Sequence, residues 1–501
     1  SCPFQIIVVC PVILRYHSVM YEQQYNKKSK AHDAETDKNS LLADADVAII
    51  GGGVVGCAVA RRMALEGASA VLVEKGADIL GGASKGNSAI LHTGFDTPEG
   101  SLELECVRNG YDEYLEIRKS LNLPVLKSGA LIAAWTAEEE ELFPGILEKA
   151  HHNGVEDMRL LSRSEALKLE PNLSGNIRAV IAVPREYVID PWSAPLAYLL
   201  QAIENGGKAI FNVEVISGDF DGSRWLLQTK HGKIRADYVI NSAGLYGDLL
   251  DRDVLSKTEF TIKPRKGQFV VFDKVANSLI RSIIYPVPTE RTRGIVIFPT
   301  IFGNVAVGPT AEEQESRDDA SVDKANLKVL HAQAIKKVPA LANIPVTATY
   351  AGIRAATEKK EYRIIEDSDR HWITLGGIRS TGLTSALGLA RHVHQLLTNQ
   401  GADFCAIPNP SVPRVPNLAE HLPRDWQTPG YGEIVCHCEM VTQREIRAAL
   451  EGPLSAGHFE GLKRRTRATM GRCQGFYCSA RLAELTEGKF AEPLAVGTIN
   501  D

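Results

Sequence analysis

The sequence predicts an α/β fold in which a parallel-sheet domain carries an inserted, largely antiparallel sheet and a small C-terminal helical domain. Three observations lead to this prediction. A glycine-rich turn between two apolar runs lies near the start of the chain, and short strand-like runs occupy about residues 259–350. Four of the nine cysteines lie at or beyond position 436. A chain of 501 residues is long enough for about two or three domains.

The first unit is a strand, a turn and a helix, followed by a second strand. The apolar run 47–50 leads into Gly51, Gly53 and Gly56, which form the pattern G-x-G-x-x-G, and the second apolar run ends at Glu74. Gly51 permits the tight turn, Gly53 lets a pyrophosphate approach the backbone, and Gly56 lets the helix pack against the sheet. Glu74 is placed to accept a hydrogen bond from a ribose hydroxyl. The pattern predicts a Rossmann-like dinucleotide site; the alternative is a glycine-rich turn in an ordinary α/β unit.

Composition and charge exclude some function classes. The chain is 44% hydrophobic and 23% charged with a formal net charge of −5, so nucleic acid is not an expected partner. The scattered cysteines outside the C-terminal group argue against a disulfide framework and suit a reducing compartment, which predicts a cytoplasmic protein. We expect residues 1–45 to be a disordered or non-native extension, with a targeting or membrane-touching segment as the alternative.

Small and hydroxylated residues in the segment 81–107 suit a backbone pressed against a flat cofactor. Ser84, Asn87 and Ser88 precede a short apolar strand that ends at His92. Ser101 is predicted to cap a helix that runs to about position 121, because its side chain can accept from a free N–H of the first turn.

Strands and helices continue to alternate further along the chain. A helix is predicted from Asp190 and Pro191 to about position 204, followed by a strand that ends near Val215. Between about 259 and 350, several period-2 runs and one helix over 322–337 predict a separate antiparallel sheet. Two apolar strands run into turns. The first ends in the small residues Ala243 and Gly244, and the second in a glycine-rich turn and helix that contain Gly377, Thr381, Gly382 and Leu383.

Over about residues 46–400, these motifs resemble the FAD-dependent D-amino-acid-oxidase-like superfamily. The unit G-x-G-x-x-G with its acid, and the pattern S-x-x-N-S-x-x-L-H-x-G, carry the resemblance. Within the superfamily, the chain looks most like L-2-hydroxyglutarate dehydrogenase and the A subunit of anaerobic glycerol-3-phosphate dehydrogenase. The resemblance implies a substrate domain at about 259–350. It also implies FAD contacts at Gly51, Gly53, Gly56, Glu74, Ser84, Asn87, Ser88, Val215, Ala243, Gly244, Gly377, Thr381, Gly382 and Leu383.

Two residues are candidates for catalysis. Arg354 matches the arginine that holds the substrate carboxylate or phosphate in the superfamily, and a planar guanidinium suits this task. The alternative is a surface ion pair with Glu358 or Glu361. His92 is the candidate base for the substrate hydroxyl, because imidazole titrates near neutrality. The alternatives for this histidine are a hydrogen-bonded position in the cofactor wall or a flavin attachment position.

Three further cations could add positive charge to the substrate site, or could equally be exposed loop charges. They are Arg265, Lys266 and Arg293.

The end of the chain has its own chemistry. Residues 401–432 contain six prolines and little periodicity, which predicts an extended linker to a domain over 433–501. That domain carries Cys436 and Cys438 as C-x-C and, after 34 residues, Cys473 and Cys478 as C-x4-C. Four thiolates can enclose a metal centre. The pattern resembles the bacterioferritin-associated-ferredoxin-like [2Fe–2S] domain, and the alternatives are a zinc site or reactive thiols.

A basic run beside the second cysteine pair has two interpretations. It is either a solvated helix face or charge compensation for an anionic cluster, whose potential nearby cations would raise. The run consists of Lys463, Arg464, Arg465, Arg467 and Arg472.

A flavin and an iron–sulfur cluster on one chain imply a dehydrogenase that passes electrons to a partner. The resemblance favours a small anionic secondary alcohol as substrate: glycerol 3-phosphate first, then L-2-hydroxyglutarate, then an amino acid or amine. The expected partner is an electron-accepting flavoprotein or a quinone-reducing subunit, and membrane contact is expected only through such a partner. The alternatives from other classes are a non-catalytic electron-transfer or redox-sensing subunit and a metal-carrying module without flavin.

Overall fold

The computed structural model describes residues 40–288 and 294–494. The strands in this part of the chain are β1 (Leu41–Ile50), β2 (Ala70–Val73), β3 (Ile90–Leu91), β4 (Val125–Leu126), β5 (Ala130–Ala134), β6 (Arg159–Ser162), β7 (Ala179–Val183), β8 (Tyr187–Ile189), β9 (Lys208–Ile210), β10 (Val215–Phe220), β11 (Trp225–Thr229), β12 (Lys233–Asn241), β13 (Ile262–Phe272), β14 (Ile283–Pro286), β15 (Val296–Pro299), β16 (Val305–Gly308), β17 (Glu312–Glu313), β18 (Val346–Thr357), β19 (Arg363–Asp367), β20 (Trp372–Gly376), β21 (Ile434–Cys436) and β22 (Val441–Thr442).

The α-helices of the same residues are α1 (Val54–Leu65), α2 (Leu102–Ile117), α3 (Ala137–Glu141), α4 (Phe143–His152), α5 (Arg163–Leu169), α6 (Ser193–Glu204), α7 (Gly247–Leu255), α8 (Lys324–Lys337), α9 (Gly382–Asn399), α10 (Gln443–Ala449), α11 (Phe459–Thr466) and α12 (Ser479–Leu485). None of them is long and apolar enough to cross a lipid bilayer.

The first sheet has eight strands with a parallel centre. Strand β1 lies between β2 and β12, β9 pairs with β2, and β20 joins the far edge of β12, all in parallel. The hairpin β10–β11 and strand β19 add antiparallel edges. Because parallel strands end on one side of a sheet, the turns after β1, β12 and β20 meet at a single edge. These are the turns at Gly51, Ala243 and Gly377, which positions the site.

Helices cover one face of this sheet and bury its apolar side chains. Helix α1 packs against α6 and α9, and α9 packs against α2. The core between them contains Met63, Tyr114, Tyr198 and Leu397. On the other face, the β10–β11 hairpin and α7 enclose a second core that includes Trp225 and Trp372. Both faces of the central strands are therefore covered, as parallel sheets require.

The second sheet has nine strands in the order β17-β13-β16-β15-β14-β5-β7-β6, with β18 also paired to β13. All its pairs are antiparallel except β14 with β5. The sheet is thus not confined to residues 259–350 as expected, because three strands come from residues 130–183. The short runs β5 and β7 are buried along their whole length, and such runs show no alternation from which their sheet could be read.

Several local predictions agree with the structure, and one is wrong. Ser101 caps α2 by accepting from the Leu104 N–H at 3.1 Å, and α8 occupies the predicted helix. The strand expected to end near Val215 is β9, which ends at Ile210, whereas Val215 begins β10. Asn212 has a φ of +58° and turns the chain between the two strands.

The two ends of the described chain also differ from the expectation. Residues 1–39 of the expected extension lie outside the described residues, but residues 41–45 belong to β1 and pair with β12.

Residues 401–432 contain no α-helix or strand. This proline-rich segment nevertheless packs on the domain that precedes it, about residues 46–400, which is called the first domain below. The Ile407 N–H donates to the Leu65 carbonyl, and Val415, Leu418 and Ala419 are buried.

The C-terminal domain has its own small core. Strands β21 and β22 form a hairpin-like pair, and α10, α11 and α12 pack around Val435, Ile446, Leu462 and Leu482. The domain is therefore small and helical as predicted, with a two-stranded sheet in addition.

Candidate functional site

A cavity of about 1200 Å³ lies between the carboxyl edge of the first sheet and the second sheet. Its lining includes the glycine-rich turn, the segment 81–88, the turns after β12 and β20, and parts of β13 and β18. Pockets that bind drug-sized ligands have volumes of roughly 300–1,000 Å³. This cavity is therefore large enough for a dinucleotide together with a small substrate.

The glycine-rich turn leaves no room for side chains. Gly51 has a φ of +110°, and a Cβ on it would lie 2.7 Å from the carbonyl oxygen of Ser242. A Cβ on Gly56 would lie 2.0 Å from the carbonyl oxygen of Gly51. Gly51 and Gly53 line the cavity in front of the N-terminus of α1, while Gly56 packs behind them. This geometry fits a phosphate group at a helix N-terminus, and the contact itself stays a prediction.

Glu74 lines the cavity directly after β2. Its Oε2 accepts from the Gly52 N–H at 2.6 Å and its Oε1 from the Gly76 N–H at 2.8 Å. These bonds fix the carboxylate, and each oxygen keeps a second lone pair with which it can accept from a hydroxyl. The arrangement fits the predicted ribose contact, which stays a prediction.

The segment 84–88 forms part of the same wall. The Ser84 Oγ accepts from the Val54 N–H at 3.0 Å, at the first turn of α1. Asn87 fixes the loop by accepting from the Ala89 N–H at 2.7 Å and donating to the Ser84 carbonyl at 3.1 Å. Ser88 also lines the cavity. Contact between these residues and FAD is still a prediction.

The turns that follow later strands of the first sheet bring most of the other predicted residues to the cavity. They are Val215, Ala243, Gly244, Gly377, Gly382 and Leu383. Thr381 differs, because its side chain is buried and turned away from the cavity lining. Its Oγ1 donates to Glu103 Oε1 at 2.7 Å and lies 2.6 Å from the Tyr362 hydroxyl. Thr381 therefore supports the turn from behind and does not present its side chain to a cofactor.

His92 lines the cavity at the end of β3 and is oriented by a buried carboxylate. Its Nδ1 lies 3.1 Å from Glu186 Oε2. Glu186 is completely buried and also accepts from the Thr93 N–H at 2.5 Å, the Thr93 hydroxyl at 2.8 Å and the Tyr285 hydroxyl at 2.8 Å. Burial by itself raises the pKa of Glu186, but the charge of His92 and the hydrogen bonds from His92 and Thr93 hold that pKa below its ordinary value.

Sequence reasoning missed Glu186. It lies 94 residues from His92 in the chain, in a turn between β7 and β8, and no motif singles it out. The pairing of β3 with β8 brings the two residues together. A histidine with one nitrogen held by an ionised carboxylate can take up a proton at the other nitrogen.

Arg354 lies on β18, opposite Arg265 of β13, and also lines the cavity. Burial lowers the pKa of Arg354 to about 10, and the nearby positive charges of Arg265 and Arg379 contribute. Its Nη2 donates to the Thr310 carbonyl at 3.3 Å. No carboxylate of the described residues lies within 4 Å of its guanidinium nitrogens.

The proposed ion pair of Arg354 with Glu358 or Glu361 is therefore wrong. Both of these carboxylates pair with Arg363, at 3.7 Å and 3.3 Å respectively. Arg354 is thus a guanidinium in the cavity wall that an anion entering the cavity can pair with.

Other cations converge on the same cavity. Arg265 lines it while its Nε donates to Glu313 at 2.8 Å. Lys266 is not part of the lining and lies 3.8 Å from Asp319. Arg293 lies outside the described residues. Sequence reasoning did not single out six further lining cations, which are Lys75, Lys85, Lys149, Arg317, Lys360 and Arg379.

The four C-terminal cysteines come together as two contacting pairs. Cys438 lies against Cys473, and Cys436 lies against Cys478. Hydrogen bonds from the backbone N–H groups of residues 477, 475 and 476 lower the pKa of Cys473, whereas burial raises the pKa of Cys478 to about 12. Among residues 40–288 and 294–494, no group of three or more His, Cys, Asp or Glu side chains is placed to hold one metal ion. Two pairs of thiols suit a two-iron cluster, in which each iron takes two protein ligands.

The basic run is mostly buried, so its interpretation as a solvated helix face is wrong for three of its residues. Arg465 makes two hydrogen bonds to Asp78, at 2.6 and 2.7 Å, in the loop after β2. Arg464 donates to the Ile79 carbonyl at 3.1 Å, and Arg467 pairs with Glu439 at 2.8 Å. Arg464 and Arg465 thus dock the C-terminal domain onto the loop after β2, which sequence reasoning did not anticipate, whereas Arg467 pairs within its own domain.

Comparison with known proteins agrees with this geometry. The model of the FAD-dependent oxidoreductase family matches residues 46–396, and that of the BFD-like [2Fe–2S] binding domain matches residues 434–487. The chain is 31% identical to the glycerol 3-phosphate dehydrogenase of Caloramator mitchellensis, over 88% of this chain and 93% of that protein. It is 26% identical to the mitochondrial L-2-hydroxyglutarate dehydrogenase of Caenorhabditis elegans, over 70% and 84%.

A solved structure extends the comparison to the fold. The dithionite-reduced L-α-glycerophosphate oxidase of Mycoplasma pneumoniae with FAD bound superposes with a TM-score of 0.67 at 28% identity, covering 74% of this chain and 98% of that chain. The glycine-rich turn without room for Cβ atoms, the fixed acid after β2 and the cavity volume fit FAD, and the paired thiols fit a [2Fe–2S] cluster. The chain therefore belongs to the FAD-dependent oxidoreductase family, with FAD as its cofactor and a BFD-like [2Fe–2S] domain at its C-terminal end.

Proposed function

We propose that this protein is a dehydrogenase of glycerol 3-phosphate that passes electrons through its [2Fe–2S] cluster to a partner. One observation carries the choice of an anionic substrate: Arg354 lies in the cavity wall among other cations and has no carboxylate partner in the described residues. The similarity to glycerol 3-phosphate dehydrogenase supports the choice of anion.

The cations of the cavity favour a phosphate over a single carboxylate. A planar guanidinium can bind two oxygens of a phosphate at once. The positive charges of Arg265 and Arg379 disfavour the charge on Arg354 in the free protein. A phosphate of about two negative charges relieves this repulsion more than a carboxylate of one charge does.

His92 and Glu186 supply the proton transfer. With Nδ1 held by Glu186, the Nε2 of His92 is the nitrogen that can accept the proton of the substrate hydroxyl. The buried carboxylate stabilises the resulting imidazolium, because unlike charges attract strongly in a site of low dielectric constant. FAD, when bound, supplies the acceptor for the hydride that leaves the carbon bearing this hydroxyl.

A second candidate is the oxidation of an L-2-hydroxy acid. It is favoured by the similarity to L-2-hydroxyglutarate dehydrogenase, and a substrate with a carboxylate could also pair with Arg354. The acceptor partner we propose is an electron-accepting flavoprotein or a quinone-reducing subunit, with membrane contact only through it.

The experiment is an anaerobic visible spectrum of the holoenzyme, before and after addition of sn-glycerol 3-phosphate, L-2-hydroxyglutarate or glycerol. Loss of the flavin band with glycerol 3-phosphate alone supports the proposal, since glycerol lacks the anion and serves as the matched control. Loss with L-2-hydroxyglutarate alone supports the second candidate. If none of the compounds changes the spectrum, both are refuted and an electron-transfer subunit becomes the better hypothesis.

A further inference from the structure

Apart from its contacts with residues 401–432, the described part of the [2Fe–2S] domain contacts two regions of the rest of the chain. The first is the loop after β2, where Arg465 binds Asp78 and a Cβ on Gly457 would lie only 1.7 Å from the carbonyl oxygen of Ala77. This loop follows Glu74, the predicted ribose contact, so it adjoins the nucleotide end of the cofactor site. The second region lies at the second sheet, where Arg472 pairs with Asp273 at 2.8 Å.

The second region contains a continuous series of contacts that begins beside a cluster ligand. Glu439 directly follows Cys438 and pairs with Arg467 at 2.8 Å, and both side chains are buried. The guanidinium of Arg467 lies over the ring of Phe302, 4.0 Å from its centroid. A planar cation stacked on an aromatic face is a close and well-ordered contact.

The series continues from Phe302 to the wall of the cavity. The rings of Phe302 and Trp192 are stacked, with centroids 5.3 Å apart and an angle of 16° between their planes. The Trp192 indole N–H donates to the Lys85 carbonyl at 3.3 Å, and Lys85 lines the cavity. Asp190 Oδ1 accepts from the Trp192 N–H at 2.9 Å and fixes the position of this residue.

We propose that Phe302 and Trp192 form the packed bridge through which electrons pass from FAD to the [2Fe–2S] cluster. This inference rests on the relay in the proposed function. Reduced FAD is oxidised by one electron and the cluster is reduced by one electron in each passage. A one-electron acceptor then reoxidises the cluster, so that two passages return FAD to its oxidised form. The two side chains of the bridge are not themselves oxidised or reduced. They fill the space between FAD and the cluster with closely packed atoms, so that electrons need not cross an empty gap.

The position of the bridge distinguishes it from the other contact region. Trp192 adjoins the segment 84–92, which contains Ser84, Asn87, Ser88 and His92 and which the family resemblance places against the flavin. Asp78 instead adjoins the ribose contact, where no electrons are exchanged. Among the described contacts of the two regions, the stacked pair is therefore the one that leads to the reactive end of the cavity.

The test uses the anaerobic holoenzyme, with FAD reduced by light in the presence of EDTA as the electron donor. The rate at which the electron paramagnetic resonance signal of the reduced cluster appears is measured for Phe302→Leu and Trp192→Leu. Trp192→Phe keeps a ring in the bridge. Phe272→Leu is the matched control, because Phe272 is fully buried in another core and stacks on His331 instead.

We expect the rapid appearance of the cluster signal to be lost in both leucine variants and kept in Trp192→Phe and Phe272→Leu, with cofactor content and cluster potential unchanged. Equal rates in all variants would overturn the bridge, and so would a slow rate explained by a shifted potential. If Phe302→Leu does not fold, the difference in this rate between Trp192→Leu and Trp192→Phe is sufficient to test the bridge. Reduction of FAD by light needs no substrate, so this experiment does not depend on the proposed substrate. An error in the substrate assignment would appear only in the visible spectra recorded with the three compounds. A wild-type cluster that never accepts electrons from FAD refutes the relay itself and the bridge with it.

Discussion

Replacing Arg354 by methionine is expected to weaken substrate binding and to stabilise the free protein at the same time. Burial lowers the pKa of this guanidinium from 12.5 to about 10, and the nearby positive charges of Arg265 and Arg379 contribute. The charge on Arg354 therefore lowers the free energy of unfolding of the protein without ligand, and a bound anion offsets this loss of stability. Methionine has a similar length and no charge, so it removes both this loss of stability and the anion contact.

The two effects can be estimated from the structure. A hydrogen bond to a charged group contributes roughly 1.5–3 kcal/mol, so a guanidinium that binds a phosphate through two such bonds contributes about 3–4 kcal/mol, allowing for the remaining cations. This corresponds to an increase in KM of about 100- to 1,000-fold. The lowered pKa of Arg354 amounts to at most about 3 kcal/mol. Arg354 is half-buried as a residue, and solvent in the cavity screens its charge, so we expect a gain of about 1–2 kcal/mol in the free energy of unfolding.

The assay combines three measurements on the purified variant. Steady-state kinetics with a one-electron dye give the KM for glycerol 3-phosphate, the visible spectrum gives the FAD content, and urea unfolding gives the stability. Arg265→Met is the matched control, because Glu313 already pairs with Arg265 and its loss should raise KM much less. An unchanged KM for Arg354→Met with FAD retained would refute the assignment of the anion contact. A less stable variant would refute the like-charge argument.

Three further predictions concern the proton, the cluster and the domain contact. Glu186→Gln should lower kcat by ~100-fold or more with KM and FAD content preserved, since the charge that stabilises the imidazolium is lost; an unchanged kcat would contradict this role. Because the pKa of Glu186 is lowered in the folded protein, its ionised form stabilises the fold at a pH above the ordinary pKa, and this stability is lost as the pH falls from that value through the lowered pKa. Cys473→Ser should leave flavin reduction by substrate intact and abolish transfer to one-electron acceptors, whereas Cys405→Ser, an exposed cysteine outside the two pairs, should change neither; loss of flavin reduction in Cys473→Ser would argue against the relay. Arg465→Met should cost roughly 3–5 kcal/mol at the domain contact, because it leaves the buried carboxylate of Asp78 without its partner, and should speed proteolysis within residues 401–432; an unchanged digestion rate would rule out the docking role.

Local patterns in the sequence predicted much of the first domain. The spacing of Gly51, Gly53 and Gly56 between two apolar runs depends on contacts within one strand-turn-helix unit, and the structure forms that unit where it was expected. The cap at Ser101 and the bounds of α8 are likewise decided within one helix. The extent of the second sheet was underestimated because β5 and β7 are buried along their whole length, and because β5 joins the later strands through β14, where Ala130 pairs with the distant Ile283.

The sequence by itself determined the chemistry available to this protein: a glycine-rich turn, four thiols, one histidine and one arginine at recognisable positions. Only the tertiary structure decided which of these groups act together. Strand pairing joins His92 to Glu186, and sheet register places Arg354 among cations and away from Glu358 and Glu361. Domain contact turns Arg465 from a surface charge into the partner of Asp78. The physical reason is that electrostatic contacts depend on burial and on distances of a few ångströms, which the chain acquires only when distant segments pack together.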